Sequence, residues 1–167
     1  MIQGHQETLV IIILGSPADE PLARQIGQAL DVFGLQWELR VASAHKVPLH
    51  LLQMLEEYEQ DPRPKVYITI AGRSNALSGI VDAHVAAPVI ACPPYSDKFA
   101  GGDLLSSLRA PSGVAPAVVL EPEGAALLAA KLLALADPAL RQRVQAAQAR
   151  QRDRLLDADG ALQAGRV

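Results

Sequence analysis

Five short apolar runs, each rich in β-branched residues, alternate along the chain with segments of helical periodicity. The runs are TLVIIIL (8–14), WELRVA (37–42), VYITIA (66–71), PVIACP (88–93) and APAVVL (115–120), and the helical segments are 21–34, 47–60, about 76–85, 101–110 and 122–136. Runs of this length predict buried strands, and their alternation with helices favours right-handed β-α-β crossovers. The pattern therefore predicts an α/β domain in which helices cover both faces of a five-stranded parallel sheet.

The chain length suits one domain with a substantial core, since 167 residues bury enough apolar surface without disulfides or metals. Half of the residues are hydrophobic but only 4% are aromatic, so the core is expected to consist of Ala, Leu, Val and Ile. No internal repeat, linker or low-complexity tract interrupts the pattern. We predict a single domain over 1–167, with its core at about 8–136.

A polar segment at about 138–163 follows the last core helix and predicts one more helix. Its apolar residues, Leu140, Val144, Ala147 and Leu155, recur at three- to four-residue or heptad-related spacings. The apolar stripe is thin. Two interpretations stay open: the helix frays in solvent, or it lies across a neighbouring subunit.

Charge and composition exclude several functional classes. The net charge of −3 argues against a nucleic-acid partner, which requires a basic surface. Cys92 is the only cysteine, so no internal disulfide can form, and the chain does not open on a secretory leader pattern. The most apolar helical stretch, 125–136, contains Lys131 and falls short of the ~20 residues that span a bilayer. We expect a cytoplasmic protein without a membrane partner.

The segments that follow the first four predicted strands are rich in glycine, serine and charge. They are GSPADEP (15–21), SAHK (43–46), GRSNALSG (72–79) and PPYSDKFAGG (93–102). In an open parallel sheet, ligands bind beyond the carboxyl ends of the strands. These four loops are therefore the predicted site of binding or catalysis.

The first loop has residues suited to a phosphorylated sugar. Gly15 and Ser16 can offer backbone N–H groups and a hydroxyl to an anion at a helix start. Asp19 would repel a phosphate but accept hydrogen bonds from ribose hydroxyls. The alternative is that Ser16 and Asp19 only cap the following helix. The Gly-x-x-x-x-Gly-Lys phosphate loop is absent from the sequence.

The second loop places a histidine beside a cation. The imidazole of His45 can exchange protons near neutral pH, and Lys46 would attract an anionic ligand. The alternative is a histidine that bonds a loop carbonyl. His5, His50 and His84 have no neighbours at metal-ligand spacing, so we expect them to be structural or exposed and predict no metal site.

The third loop supplies hydrogen-bond donors in Arg73, Ser74 and Asn75, although a solvated turn would look the same. Cys92 lies inside an apolar run without a paired base and is predicted to belong to the core. No Gly-x-Ser-x-Gly turn occurs, and the nearest approach, APSG at 110–113, lacks the first glycine. Hydrolase chemistry is therefore not supported.

Several blocks, in order and correctly spaced, resemble the phosphoribosylaminoimidazole (AIR) carboxylases of purine biosynthesis. They are LGSPADEP, FGLQWELRVASAHKVP, AGRSNALSGIVDA and VIACPPYSDKFAGGDLLSSLRAPSG, within about residues 8–140. The family has class I mutases, which move a carboxylate from the N5-carboxylated ribonucleotide (N5-CAIR), and class II enzymes, which use carbon dioxide directly. Lys46 and Ala76 stand where class I usually has arginine and a second histidine, and AGRSN, CPP and SSLRxPSG are similar to class II. Ala18 departs from the serine of many members.

The resemblance implies a three-layer flavodoxin-like fold and a homo-octamer in which the terminal helix reaches a neighbouring subunit. It implies reversible carboxylation of AIR at C4 by carbon dioxide to give 4-carboxy-AIR (CAIR), without ATP, biotin, metal or another cofactor. The implied residues are His45 as the catalytic group, Ser16, Ser43 and Lys46 at the phosphate, Asp19 at the ribose, and Gly72, Arg73 and Ser74 along the substrate and carboxylate, beside the turn at Gly15.

Two alternatives to this function are kept. The first is a class I N5-CAIR mutase, which needs a separate ATP-dependent enzyme to make its substrate. The second is a non-catalytic flavodoxin-like module that binds a nucleotide or flavin. The low aromatic content argues against a flavin, because flavin rings are usually sandwiched by Trp or Tyr and the only Trp, Trp37, opens the second strand.

Overall fold

The structure is a computed structural model and describes residues 7–165. Five parallel strands form one sheet in the order β2-β1-β3-β4-β5. The strands are β1 (Leu9–Leu14), β2 (Gln36–Val41), β3 (Lys65–Ile70), β4 (Val89–Ala91) and β5 (Ala117–Val118). All five predicted strands are present, and the two at the β5 edge are shorter than predicted because only two to three residue pairs join them there.

Six α-helices accompany the sheet in the described part of the chain. They are α1 (Glu20–Asp31), α2 (Pro48–Glu59), α3 (Ala76–His84), α4 (Leu105–Leu108), α5 (Pro122–Leu133) and α6 (Pro138–Gln163). Proline occupies the first turn of α1, α2, α5 and α6, where its missing N–H costs no intrahelical bond. In residues 7–165, no helix combines the length and apolar character that crossing a bilayer requires.

The helix predicted over 101–110 is the main difference from expectation. Residues Lys98–Leu104 form 3-10 turns, and α4 is a single short turn. Phe99, Ala100 and Gly101 have φ angles of 52°, 52° and 76°, which are left-handed and cannot continue a right-handed helix. The Gly101-Gly102 pair also has poor helical propensity, so the sequence permits this break.

The core has two halves, one on each face of the sheet. In the interior strand β1, Val10, Ile12 and Leu14 pack with residues of α1, α5 and α6, and the alternate residues pack with α2 and α3. Every residue of β1 is buried, as expected for a parallel strand covered on both faces. The chain forms the predicted three-layer α/β arrangement.

The first half of α6 packs on this core and the second half does not. Leu140 and Val144 are buried, whereas Leu155 is 73% exposed. Asp137 caps the helix by accepting a hydrogen bond from the Leu140 N–H at 3.0 Å. The apolar stripe predicted for the tail is therefore covered from Leu140 to Ala147 and exposed at Leu155 in the described chain.

Helix α1 lies close to the sheet at Gly27, against Trp37 of β2. A Cβ at this position would lie 2.5 Å from Cζ2 of Trp37 on β2, and the indole Nε1 donates to Asp31 at 2.9 Å, which fixes the ring. We expect Gly27→Ala to lower the free energy of unfolding by about 1–2 kcal/mol, because overpacking outweighs the better helical propensity of alanine. Denaturant unfolding measures this loss.

The matched control is Gly160→Ala in α6, where an added Cβ has no atom within 4 Å. It should leave stability unchanged or raise it slightly. Equal effects of the two substitutions would show that Trp37 yields to the methyl group.

Candidate active site

A cleft of about 640 Å³ lies at the carboxyl ends of the parallel strands. Leu14 of β1 is paired with Val41 of β2 and Ile70 of β3, so these strands end at the same level and their loops meet. The nine residues that the family resemblance implies for the site all line the cleft: Gly15, Ser16, Asp19, Ser43, His45, Lys46, Gly72, Arg73 and Ser74. Such a volume suits a small organic ligand.

The first loop caps a helical turn with Ser16 and leaves Asp19 free. The Gly15 N–H donates to the Ile70 carbonyl at 2.8 Å, and the Ser16 hydroxyl accepts from the Ala18 N–H at 3.3 Å. The carboxylate of Asp19 caps neither turn and has no hydrogen bond within residues 7–165. Partial burial raises the pKa of Asp19 above its ordinary value. The capping alternative therefore holds for Ser16 and not for Asp19.

The second loop is a tight turn that holds His45 and Lys46 towards solvent in the cleft. The carbonyl of Ser43 accepts from the N–H groups of Lys46 and Val47 at 3.2 and 2.9 Å, and its hydroxyl lies 3.3 Å from the Lys46 nitrogen. His45 and Lys46 are both exposed. No group in residues 7–165 bonds the His45 ring, so the alternative of a histidine bonding a loop carbonyl is not observed.

The third loop brings Arg73 to the cleft in an unusual conformation. Arg73 has φ of 58°, in the left-handed region that costs a non-glycine residue free energy. Gly72 before it lies against the next loop, because a Cβ there would be 3.2 Å from Pro94 Cγ. Both features indicate a loop whose shape is set by its neighbours.

Asn75 differs from its prediction as a donor at the site. It is buried and does not line the cleft. Its side-chain oxygen accepts from the Ser78 N–H at 3.1 Å and so caps α3. Asn75 therefore belongs to the support of the loop.

The fourth loop was predicted as part of the site without individual residues being assigned, and with the residue just after it lines the cleft through five residues: Pro94, Tyr95, Ser96, Lys98 and Asp103. The signal for this loop was its position after the end of a strand, the same as for the first three loops. Together with the first three loops, it places three cations, two carboxylates and one histidine around the cleft. A surplus of cations at the ends of parallel strands suits a phosphorylated ligand.

The remaining candidates lie elsewhere. Cys92 is buried in the sheet, where burial raises the pKa of its thiol to about 12, so the thiol stays protonated at neutral pH. His50 and His84 are exposed, outside the cleft, and His84 Nδ1 lies 2.8 Å from the Ile80 carbonyl. His5 lies outside the described residues. Trp37 packs on α1 and does not line the cleft.

The sequence profile of the AIR carboxylase family matches residues 9–154, nearly the whole described chain. The chain belongs to the AIR carboxylase family. As a family member it is an enzyme, a carboxy-lyase of purine biosynthesis, and this replaces the alternative of a non-catalytic flavin or nucleotide module. The matched region includes all four cleft loops.

Relatives of this AIR carboxylase family member span bacteria, archaea and animals. It is 50% identical to phosphoribosylaminoimidazole carboxylases of Treponema denticola and Archaeoglobus fulgidus, over 92% and 89% of this chain and 97% and 82% of theirs. It is 39% identical to a bifunctional carboxylase and succinocarboxamide synthetase of Homo sapiens over 82% of this chain, which matches 32% of that protein.

The fold of the family is confirmed by a solved structure. The crystal structure of Treponema denticola PurE matches with a TM-score of 0.92 at 49% identity, covering 93% of this chain and 99% of that one. The predicted flavodoxin-like α/β fold is therefore correct.

Proposed function

We propose that this family member is a class II AIR carboxylase, which joins carbon dioxide directly to C4 of AIR. The observation that carries the proposal is the cleft's single histidine: within residues 7–165, His45 is the only one that lines it. Ala76 begins α3 where the class I pattern has its second histidine. Lys46 in place of arginine and the GRSN loop also favour class II.

The carboxylation requires the two substrates to be positioned more than it requires either to be chemically activated. The aminoimidazole ring is an electron-rich enamine, so C4 can attack the carbon of carbon dioxide when the two are held in line. The new carbon–carbon bond forms as one C–O π bond opens into a carboxylate. C4 then carries both this carboxylate and its original hydrogen, and loss of that proton restores the aromatic ring.

His45 is proposed to move this proton. In carboxylation, the neutral imidazole accepts the proton from C4 as a general base; in the reverse direction, the imidazolium returns it before carbon dioxide leaves. Support comes from its exposed position in the cleft and from the absence of any hydrogen bond to its ring within the described chain. The ring is therefore available to a substrate.

The other cleft residues are proposed to hold the ribonucleotide and the developing carboxylate. Ser16, Ser43 and Lys46 would bind the phosphate, with the Gly15 turn beside it. The carboxylate of Asp19, which has no hydrogen bond within residues 7–165, would accept from the ribose hydroxyls. Gly72, Arg73 and Ser74 would lie along the carboxylate, where an arginine and backbone N–H groups stabilise developing negative charge.

Two parallel assays test the class. The purified protein is given AIR with bicarbonate and carbonic anhydrase, which keeps carbon dioxide supplied, and separately N5-CAIR. We expect CAIR to form in the first assay without ATP. Efficient turnover of N5-CAIR alone would make the protein a class I mutase and would refute the class II proposal.

We also propose a homo-octamer in which α6 lies on a neighbouring subunit. The outer half of α6 supports this, since Leu155, Leu156 and Leu162 are between 62% and 73% exposed in the described chain. Exposed leucines at such density mark contact surfaces. Sedimentation equilibrium should give eight times the 17.7 kDa chain mass, and a monomer would refute the proposal.

A cytoplasmic location is inferred from the proposed substrate. AIR is a phosphorylated ribonucleotide, and its charge keeps it in the compartment where it is made. Cell fractionation followed by the carboxylation assay tests this, and activity confined to the membrane or secreted fraction would contradict it.

A further inference from the structure

Two adjacent serines of α4 join the third loop to the fourth. Ser106 Oγ accepts a hydrogen bond from the backbone N–H of Asn75 at 3.0 Å, and Ser107 Oγ accepts from the Asn75 side-chain amide at 2.9 Å. The Ser106 hydroxyl lies 2.8 Å from the carbonyl of Asp103, its nearest acceptor, and 3.3 Å from that of Arg73. A chain of hydrogen bonds therefore links Asn75 through Ser106 to Asp103, a cleft residue.

This network uses every polar side-chain group of Asn75. Its amide nitrogen donates to Ser107, and its side-chain oxygen caps α3 through the Ser78 N–H. Asn75 and Ser107 are 7% and 6% exposed, so these bonds lie away from water. The end of the third loop is thus fixed to α3 on one side and to α4 on the other.

Arg73, two residues before Asn75, requires such support. Its left-handed backbone costs roughly 1 kcal/mol relative to an ordinary conformation, and its side chain is exposed, with no hydrogen bond in residues 7–165. The conformation must therefore be held by the peptide groups around it. Of these, the Arg73 carbonyl and the Asn75 N–H both face the Ser106 hydroxyl.

We propose that Ser106 is a positioning residue, whose hydroxyl holds the Arg73 loop in the left-handed conformation that binds the ribonucleotide. Ser106 does not line the cleft, so it acts through the loop. The inference rests on the proposed role of the Arg73 loop in substrate binding. It also relates two blocks of the sequence, GRSN and SSLR, because Asn75 of the first bonds to Ser106 and Ser107 of the second, 31 and 32 residues later.

The effect should appear in affinity and not in turnover. Without the hydroxyl, the loop would populate other conformations. The apparent dissociation constant for AIR then rises in inverse proportion to the fraction of molecules whose loop has the binding conformation. Bound substrate then selects the competent loop, so the saturated rate is nearly unchanged. A residue that acted only on fold stability would alter the melting temperature instead.

The test measures AIR binding by titration calorimetry, together with kcat. For Ser106→Ala we expect the Kd and KM for AIR to rise about tenfold, with kcat within about twofold of the parent. Because Ser106 is exposed, the melting temperature should change by no more than about 2 °C. Ser106→Thr keeps the hydroxyl and should restore affinity to within about threefold.

A second background separates loop positioning from other effects. Glycine adopts positive φ at no steric cost, so in Arg73→Gly the loop needs no such help. Adding Ser106→Ala to that variant should weaken AIR binding by less than about threefold. An equal tenfold loss on both backgrounds, unchanged affinity in Ser106→Ala, or a fall in melting temperature beyond about 4 °C would overturn the proposal. Failure of the parent protein to bind AIR would instead refute the proposed function.

Discussion

Replacing His45 with asparagine is expected to abolish carboxylation while leaving the ribonucleotide bound. Asparagine keeps a polar side chain of similar reach but cannot accept a proton from C4, so kcat should fall by about 10²–10⁴-fold, the usual contribution of a general base. AIR affinity should stay within about tenfold, or ~1.4 kcal/mol, because the phosphate and ribose contacts remain. Steady-state assay in both directions and calorimetry with AIR measure the two effects.

His50→Asn is the matched control, since His50 is exposed on α2 and lies outside the cleft. It should turn over at the parent rate. The reverse reaction is a second check, because CAIR decarboxylation needs the imidazolium as an acid and should fall in parallel. Near-normal turnover by His45→Asn, in either direction, would refute the proton-transfer role.

Replacing Lys46 with methionine is expected to raise the KM for AIR by about 10–30-fold, with kcat within about threefold. Methionine keeps the length of the side chain and removes its charge. A charge-assisted bond to phosphate contributes roughly 1.5–3 kcal/mol, and the lower part of that range applies because Lys46 is exposed and screened by water. Binding energy from a remote phosphate is the same in the ground and transition states, so its loss raises KM and leaves kcat nearly unchanged.

The riboside of AIR, which lacks the phosphate, sharpens this test. Lys46→Met and the parent protein should turn over the riboside at the same slow rate, because the riboside has no phosphate for Lys46 to contact. Lys131→Met, on the exposed face of α5, serves as the charge control. A kcat that falls as far as kcat/KM would place Lys46 in the transition state and contradict the phosphate role.

The sheet and the loops that form the cleft could be predicted from sequence for one physical reason. Parallel strands end at a common edge, so residues that follow Leu14, Val41 and Ile70 in the chain meet in space. The period of the apolar residues located those strand ends. His45 and Lys46 could thus be assigned to one site with Ser16.

The role of Asn75 and the backbone of the fourth loop could not be predicted in the same way. Asn75 looked like a ligand donor because it follows Arg73 and Ser74, but its burial results from α4, more than 30 residues later. The left-handed turn at Phe99 could not be predicted either, because local propensity does not favour positive φ at a phenylalanine, and this side chain is 87% exposed. Contacts distant in sequence thus decided the role of Asn75.

The protonated, buried thiol of Cys92 makes the protein a convenient host for spectroscopic probes. Since Cys92 is the only cysteine in the sequence, its inertness leaves no competing target for a maleimide dye. Tyr95→Cys would offer one accessible attachment point at the rim of the cleft, where the parent side chain is 76% exposed. Fluorescence from that position could then follow ligand entry in real time in an otherwise native molecule.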